Sequence, residues 1–270
     1  MVQKLEEAVA FIKRRSQMVP EVGIVLGSGL GSIVSEIKVQ EVIEYKDIPH
    51  FPVSTVHGHS GRLCLGEWNG KKVVVMQGRF HFYEGYSLQQ VTFPIRVIKL
   101  LGAEKLFVTN ASGGLNPAIR IGELMIVTDH INLNSDNPLR GENIESLGPR
   151  FPDQHALYDS KLIEHALFIA SNHDITCHTG VYVGVTGPNF ESPAEYKYMR
   201  IIGGDAVGMS TVPEVIVANH MGMGIFCISV ICDEGNPPVP VSVTHQEVVD
   251  AAREAEPRMA TILRELLEYV

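Results

Sequence analysis

A single α/β domain, with a mixed central β-sheet flanked by helices, is the fold this sequence predicts, and three observations lead to it. Apolar runs of strand length alternate with amphipathic helical stretches, with no repeat, low-complexity tract or dividing linker. The dipeptide Asn69-Gly70 separates two strand-like segments, Arg62–Trp68 and 71–76, and marks a hairpin, so some neighbouring strands run antiparallel. Loops rich in glycine, serine and polar residues follow several strands, where open α/β sheets collect ligands. At 270 residues, 45% of them hydrophobic, the chain can fill one sizeable core.

At the N-terminus Leu5, Val9 and Ile12 stand at helical spacing among charged residues, which reads as an amphipathic capping helix rather than a signal peptide. Val22–Leu26 is a buried strand running into Gly27-Ser28-Gly29-Leu30-Gly31. Val73-Val74-Val75-Met76 is apolar on both faces, as a central strand covered from both sides requires. Residues 77–85 read as its polar continuation, in which alternation turns Arg79, His81 and Tyr83 one way and Phe80 and Phe82 the other. Residues 88–101 read as a helix, 105–109 and 124–128 as strands, and 134–155, rich in Pro, Gly and Asn, as a long irregular loop. A helix over 160–171, a strand over 180–185, and helices over Pro193–Ile201 and 246–267 complete the series. The longest apolar run, 215–232, contains Asn219 and His220 and is broken by Gly222 and Gly224. It reads as a helix followed by a buried strand, not a membrane span.

The net charge of -9, from 31 acidic against 22 basic residues, argues against nucleic-acid and anionic-membrane partners. Cys64, Cys177, Cys227 and Cys232 form no Cys-x-x-Cys pair and have no histidines at zinc-ligand spacing, so no metal and a reducing cytoplasm are expected.

Chemistry concentrates in the loops. An arginine fork, an imidazole and a phenol converging after residue 77 suit an oxyanion beside a hydroxylated ligand, the alternative being a solvated strand end. The loop from Gly27 to Gly31 offers amides and one hydroxyl to a phosphate. Its rival reading, a dinucleotide turn, is incomplete because Ser32 stands where the fingerprint needs a third glycine. His57-Gly58-His59-Ser60-Gly61 suits an anion better than a metal, with solvated loop histidines as the alternative. Asn110-Ala111-Ser112-Gly113-Gly114-Leu115 again offers backbone amides after a strand, or is simply a tight turn. In Phe190-Glu191-Ser192-Pro193 a ring and a carboxylate suit a planar heterocycle. Ser192, Pro193 and Glu195 read as a helix cap that leaves Glu191 free. Ser210 or Thr211 stands at another helix start, as a cap or an anion contact.

In chain order, the Gly27 loop, Gly78-Arg79-Phe80-His81 with Tyr83-Glu84-Gly85, Asn110-Ala111 through Leu115-Asn116-Pro117, Gly187-Pro188 with Phe190-Glu191, and Gly208-Met209-Ser210-Thr211-Val212-Pro213-Glu214 resemble the trimeric purine nucleoside phosphorylases. The resemblance implies a nucleoside phosphorylase-like single domain in a homotrimer with active sites at subunit borders. It implies reversible phosphate-dependent cleavage of purine (2'-deoxy)ribonucleosides in purine salvage, with no metal or organic cofactor. On that resemblance Ser28, His59, Arg79, His81, the Ala111 backbone and Ser210 bind phosphate. Tyr83, Met209 and His245 contact the ribose, joined by Phe151 from a neighbouring subunit. Phe190, Glu191 and Asp233 hold the base, and His81, Glu191 and Asp233 are the catalytic set.

Asp233 departs from the family pattern, standing where the 6-oxopurine enzymes usually carry asparagine, and Cys232 stands where threonine is common. An ionised aspartate only accepts hydrogen bonds, which suits the 6-amino group of adenine, whereas Glu191 accepts from N1–H of hypoxanthine or guanine. The two carboxylates pull in opposite directions unless burial protonates one. Inosine and guanosine are the expected substrates, with adenosine and 5'-methylthioadenosine as alternatives; His245 favours a 5'-hydroxyl over a methylthio group. A nucleotide-dependent oxidoreductase and a non-catalytic nucleoside binder are remoter readings.

Overall fold

The computed structural model describes residues 1–53, 60–234 and 244–270; His57, His59 and the proline-rich stretch after Glu234 lie outside the described residues. The strands are β1 (Val22–Leu26), β2 (Lys38–Glu44), β3 (Arg62–Trp68), β4 (Lys71–Gln77), β5 (Lys105–Gly114), β6 (Leu124–Asn132), β7 (Cys177–Gly184), β8 (Ala206–Gly208) and β9 (Gly224–Glu234). The helices are α1 (Val2–Arg15), α2 (Leu88–Val91), α3 (Phe93–Leu101), α4 (Ser160–Asn172), α5 (Pro193–Ile201), α6 (Val212–His220) and α7 (His245–Leu266). The strands form one sheet in the order β2-β3-β4-β1-β5-β8-β7-β6-β9, and β5 also pairs with β9. That extra pairing closes β5, β8, β7, β6 and β9 into a ring, from which β1, β4, β3 and β2 extend as an open wing. The sheet is mixed: β1 is parallel to β4 and β5, while β3 is antiparallel to β2 and β4.

Strand alternation divides the core between the two faces. Val25, Val74 and Met76 pack with Leu5 and Ile12 of α1, Ile95 and Ile98 of α3, and Val215 of α6. Val22, Ile24, Val73 and Val75 face the other way, onto Leu162 and Ile169 of α4 and Met259 and Leu263 of α7. All of β1 is buried, as a strand covered on both faces must be. The Asn69-Gly70 turn joins β3 to β4 with both residues at positive φ, 47° and 76°, the two-residue turn that matches the strand twist. Among the described residues no helix is long and apolar enough to cross a membrane.

Three expectations need correction, and one strand was missed. β4 stops at Gln77, where its ladder with β3 ends, and Gly78 turns away at φ 101°, so Arg79, His81 and Tyr83 do not project from a strand. A 3-10 turn over Phe82–Glu84 brings His81 and Tyr83 together instead. The helix expected over 88–101 breaks at Thr92, because Pro94 has no N–H to continue the ladder and the Thr92 hydroxyl donates to Leu88 O at 2.7 Å. Asn110 to Gly114 is strand rather than loop, paired with β9 and, at its last two residues, with β8. The edge strand β2 was not expected: a bulge between Val39 and Glu41 interrupts its alternation, so Val42 lies exposed beside the buried Ile43.

Helix α7 is tied to the segment after β1 by Glu256, whose carboxylate accepts from the Ile33 N–H at 2.9 Å and from the Ser32 hydroxyl. Glu256 is 7% exposed, so its loss strands the buried Ile33 N–H and frees the Ser32 hydroxyl to water. Glu256→Ala is expected to lower the unfolding free energy by roughly 2–3 kcal/mol in urea denaturation, against less than about 0.5 kcal/mol for the exposed neighbour Glu254→Ala.

Candidate functional site

One cleft opens where β1, β4, β8 and β9 run out, against the last residues of β5. Arg79, 1% exposed, lies at its closed end. Its Nε donates to Glu214 Oε1 at 3.1 Å, and its Nη1 donates to Thr109 O at 2.7 Å and to Ser210 Oγ at 3.2 Å. Glu214 is a lone acid on the apolar helix α6. Just before α6, Thr211 holds φ 65°, a conformation costing a non-glycine residue about 1–3 kcal/mol, and its Oγ1 accepts from Asn110 Nδ2 at 3.0 Å. The first glycine loop is drawn onto β5 by Thr109, whose Oγ1 accepts from Gly27 N–H at 3.1 Å and donates to Val25 O at 3.0 Å. A side chain on Gly27 would meet Asn110 Cα at 2.9 Å, so only glycine permits this approach. The Gly27 amide is thereby committed to Thr109, and the loop presents Ser28 to the cleft instead. Ser28, Ala111 and Ser210 line this end beside Arg79.

Midway along the cleft the His81 and Tyr83 rings stack, with centroids 4.7 Å apart and planes 14° from parallel. Glu84 Oε1 accepts from the His81 backbone N–H at 2.7 Å and lies 3.1 Å from its Nδ1. Burial lowers the His81 pKa and outweighs the pull of Glu84, favouring neutral imidazole. Met209 faces these rings across Gly187, where φ is 67° and a Cβ would strike the Met209 sulfur at 2.3 Å. His245, the first residue of α7, lies exposed at the rim.

The far end carries Phe190, 40% exposed, with Glu191 and Asp233. The expected cap exists: Glu195 N–H donates to Ser192 Oγ at 3.3 Å and Ser192 N–H donates to Glu195 Oε2 at 2.7 Å, which starts α5 and leaves Glu191 to the cleft. Asp233 is the penultimate residue of β9 and is 6% exposed. Burial pushes its carboxyl up to about 6, with the Glu191 charge adding to the effect. Burial raises Glu191 too. Tyr196 lies on the buried face of α5, and burial first, then the charges of Asp233 and Glu191, drives the pKa of its phenol well above the usual tyrosine value.

Phe151 is 87% exposed with the Arg150 guanidinium 5.6 Å above its ring, outside the cleft, and His59 lies outside the described residues. Every other residue that the sequence assigns to phosphate, ribose or base lines this one cleft. Glu214, Thr109 and Tyr196 were missed. An isolated glutamate in the apolar run Val212 to Ala218 was a signal for Glu214, since such an acid needs a buried partner. Thr109 and Tyr196 look like ordinary strand and helix residues; Thr109 is identified only by its hydrogen bonds to the segment from Val25 to Gly27, and Tyr196 only by its place beside the two acids.

The family model of the phosphorylase superfamily matches residues 21–268. Purine nucleoside phosphorylase 1 of Bacillus subtilis (strain 168) is 50% identical over 256 residues, covering 95% of this chain and 94% of its own. The purine nucleoside phosphorylase of Mus musculus is 43% identical over 275 residues, covering 98% and 94%. Among solved structures, Schistosoma mansoni purine nucleoside phosphorylase in complex with adenosine superposes with a TM-score of 0.94 at 39% identity, covering 100% of this chain and 98% of that one. The same enzyme in complex with inosine gives 0.94 at 38% identity, covering 100% and 97%.

The closed end sets a stability test. Glu214→Ala leaves the Arg79 cation buried without its counter-ion and is expected to cost about 3–5 kcal/mol of unfolding free energy. Ser210→Ala removes one neutral partner and is expected to cost about 1 kcal/mol, both read from denaturant midpoints at unchanged slope.

Proposed function

The chain belongs to the phosphorylase superfamily, among its purine nucleoside phosphorylases, and from that premise we propose how its cleft divides the substrate. The reaction transfers a ribosyl or deoxyribosyl group from a purine to inorganic phosphate, reversibly. The observation that carries the assignment is the polarity of the cleft: a buried, triply held arginine at one end and two carboxylates with an aromatic ring at the other.

Phosphate binds at the Arg79 end, with Ser28, Ser210, the Ala111 amide and His59 completing its shell and His81 between phosphate and ribose. Tyr83, Met209 and His245 hold the ribose, and Phe190, Glu191 and Asp233 hold the purine. As the bond from C1' to N9 breaks, its electron pair leaves with the purine and the sugar takes on oxocarbenium character. A phosphate oxygen already held nearby forms the new bond to C1'. Phosphate is itself the nucleophile, so the step calls for no metal, organic cofactor or covalent enzyme intermediate. Hydrogen bonding from the Asp233 side of the base stabilises the electron density gathering on the leaving purine.

Inosine and guanosine are the preferred substrates, because Glu191 accepts from N1–H. Adenosine is the second substrate, supported by Asp233 and by the likeness to a fold solved with adenosine and with inosine. The enzyme works as a cytoplasmic homotrimer in purine salvage; the exposed Phe151, which a neighbouring site would cover, supports the assembly.

Release of hypoxanthine from inosine, followed by ultraviolet absorbance, is expected to require added phosphate and to fall by about 10²–10³ in kcat/KM for Arg79→Ala. Purine release that ignores phosphate would instead mark a hydrolase. Asp233→Asn supplies an amide that can donate to O6 and is expected to raise the inosine-to-adenosine ratio of kcat/KM; an unchanged ratio removes Asp233 from base selection.

A further inference from the structure

Glu256 is an acid on the buried face of α7, at helical spacing with Ala252, Met259 and Leu263, which are all fully buried. Among the described residues no cation pairs with it; its carboxylate accepts from the Ile33 N–H at 2.9 Å and from the Ser32 hydroxyl. An apolar residue of similar volume would fill this face without desolvating a charge. What the acid adds is a fixed point for the segment that leaves the first glycine loop.

The same helix touches the loop itself. At Gly29, where φ is 77°, an added Cβ would lie 2.7 Å from both the Ala252 Cβ and the Val249 carbonyl oxygen, so the loop backbone rests directly on α7. The loop is closed by Leu30 N–H donating to Gly27 O at 3.2 Å. Its ends are tied to the sheet, at Gly27 by the Thr109 hydroxyl of β5 and at Gly31, whose carbonyl accepts from Gln77 Nε2 of β4 at 2.9 Å. Beyond Gly31 the tie comes from Glu256. Ser28, which lines the cleft beside Arg79, stands inside this set of anchors. At its other end α7 reaches the cleft through His245 and Val248, with Glu256 roughly three turns beyond His245.

We propose that Glu256 is a positioning residue for the phosphate end of the cleft: by holding Ser32 and Ile33 it fixes the exit of the glycine loop, and with it the place of the Ser28 hydroxyl. The proposal rests on the reading of that end as the phosphate site. Glu256 does not line the cleft, so it acts through the loop and not on substrate. Removing the acid leaves α7 held by the packing of Ala255, Met259, Ile262 and Leu263 against the core. Its loss therefore frees the loop more than the helix, and phosphate binding weakens while the ribose contacts carried by α7 stay in place.

The test measures KM for phosphate at saturating inosine and KM for inosine at saturating phosphate. The proteins are native enzyme, Glu256→Ala, Glu256→Gln, Ser28→Ala and the double variant with alanine at both positions, with circular dichroism as the check of folding. Glu256→Ala is expected to raise the phosphate KM about fivefold and to move the inosine KM by less than about twofold. In Glu256→Gln the amide oxygen still accepts from Ile33 N–H and the amide N–H donates to the Ser32 oxygen, so the phosphate KM should return to within about twofold of native. In the Ser28→Ala background, where the positioned hydroxyl is gone, Glu256→Ala should add less than about twofold.

Four results overturn the proposal while leaving phosphorolysis intact. They are an unmoved phosphate KM in Glu256→Ala, no recovery in Glu256→Gln, an undiminished effect without Ser28, and an equal rise in both KM values, which a general loosening of α7 would give through His245. Should Glu256→Ala fail to fold, Ser32→Ala, at an exposed position, takes its place. It is expected to raise the phosphate KM alone by about two- to threefold, and an unchanged value overturns the proposal. If purine release by native enzyme does not depend on phosphate, the phosphate reading of the cleft fails and takes the proposal with it.

Discussion

The buried contact between Arg79 and Glu214 is the constraint on which the rest of the site depends. An arginine that is 1% exposed would be intolerable without compensation, and here compensation comes from α6, from β5 and from the residues just before α6. Glu214 rises from α6, the Thr109 carbonyl belongs to β5, and Ser210 precedes the strained Thr211. Satisfying one cation therefore fixes where α6 begins and how the segment after β4 crosses the sheet. Thr109 extends the same lattice to the first glycine loop by capturing the Gly27 amide and the Val25 carbonyl.

Around that fixed point the cleft acquires a direction. Its closed end is cationic and rich in donors, while its open end concentrates acid on a chain whose net charge is already -9. A substrate with an anion at one end and a planar base at the other can lie along it in only one sense, because reversal would set phosphate against two carboxylates and the base against a guanidinium. The same polarity works along the reaction coordinate, since positive charge gathers on the sugar between an anion and the neutral His81 ring rather than beside a second cation.

How much of this was legible follows from which interactions are local. The cap of α5 is a four-residue device, so Ser192 and Glu195 announce it within the sequence and leave Glu191 free for the cleft. The hairpin at Asn69-Gly70 is equally local. The reading of residues 77–85 as a strand failed because Gly78 takes a left-handed φ that alternation does not reveal, yet Arg79, His81 and Tyr83 still share one cleft, gathered by a 3-10 turn. The glycines at 113 and 114 looked like a loop for the opposite reason. They are strand residues kept bare because the Asp233 carboxylate and carbonyl crowd them from β9.

By itself, then, the sequence determined the α/β class, the mixed sheet and many of the groups that line the cleft, because periodicity, turn chemistry and side-chain type are properties of short stretches. Only the tertiary structure decided the pairings that give those groups their electrostatic character. Glu214 reaches Arg79 across 135 positions, and the charge of Glu191 acts on an Asp233 that lies 42 residues further along. Burial, not composition, then raises both acids above their ordinary range. Desolvation and partner geometry arise only when distant segments pack, and no local pattern in the chain encodes them.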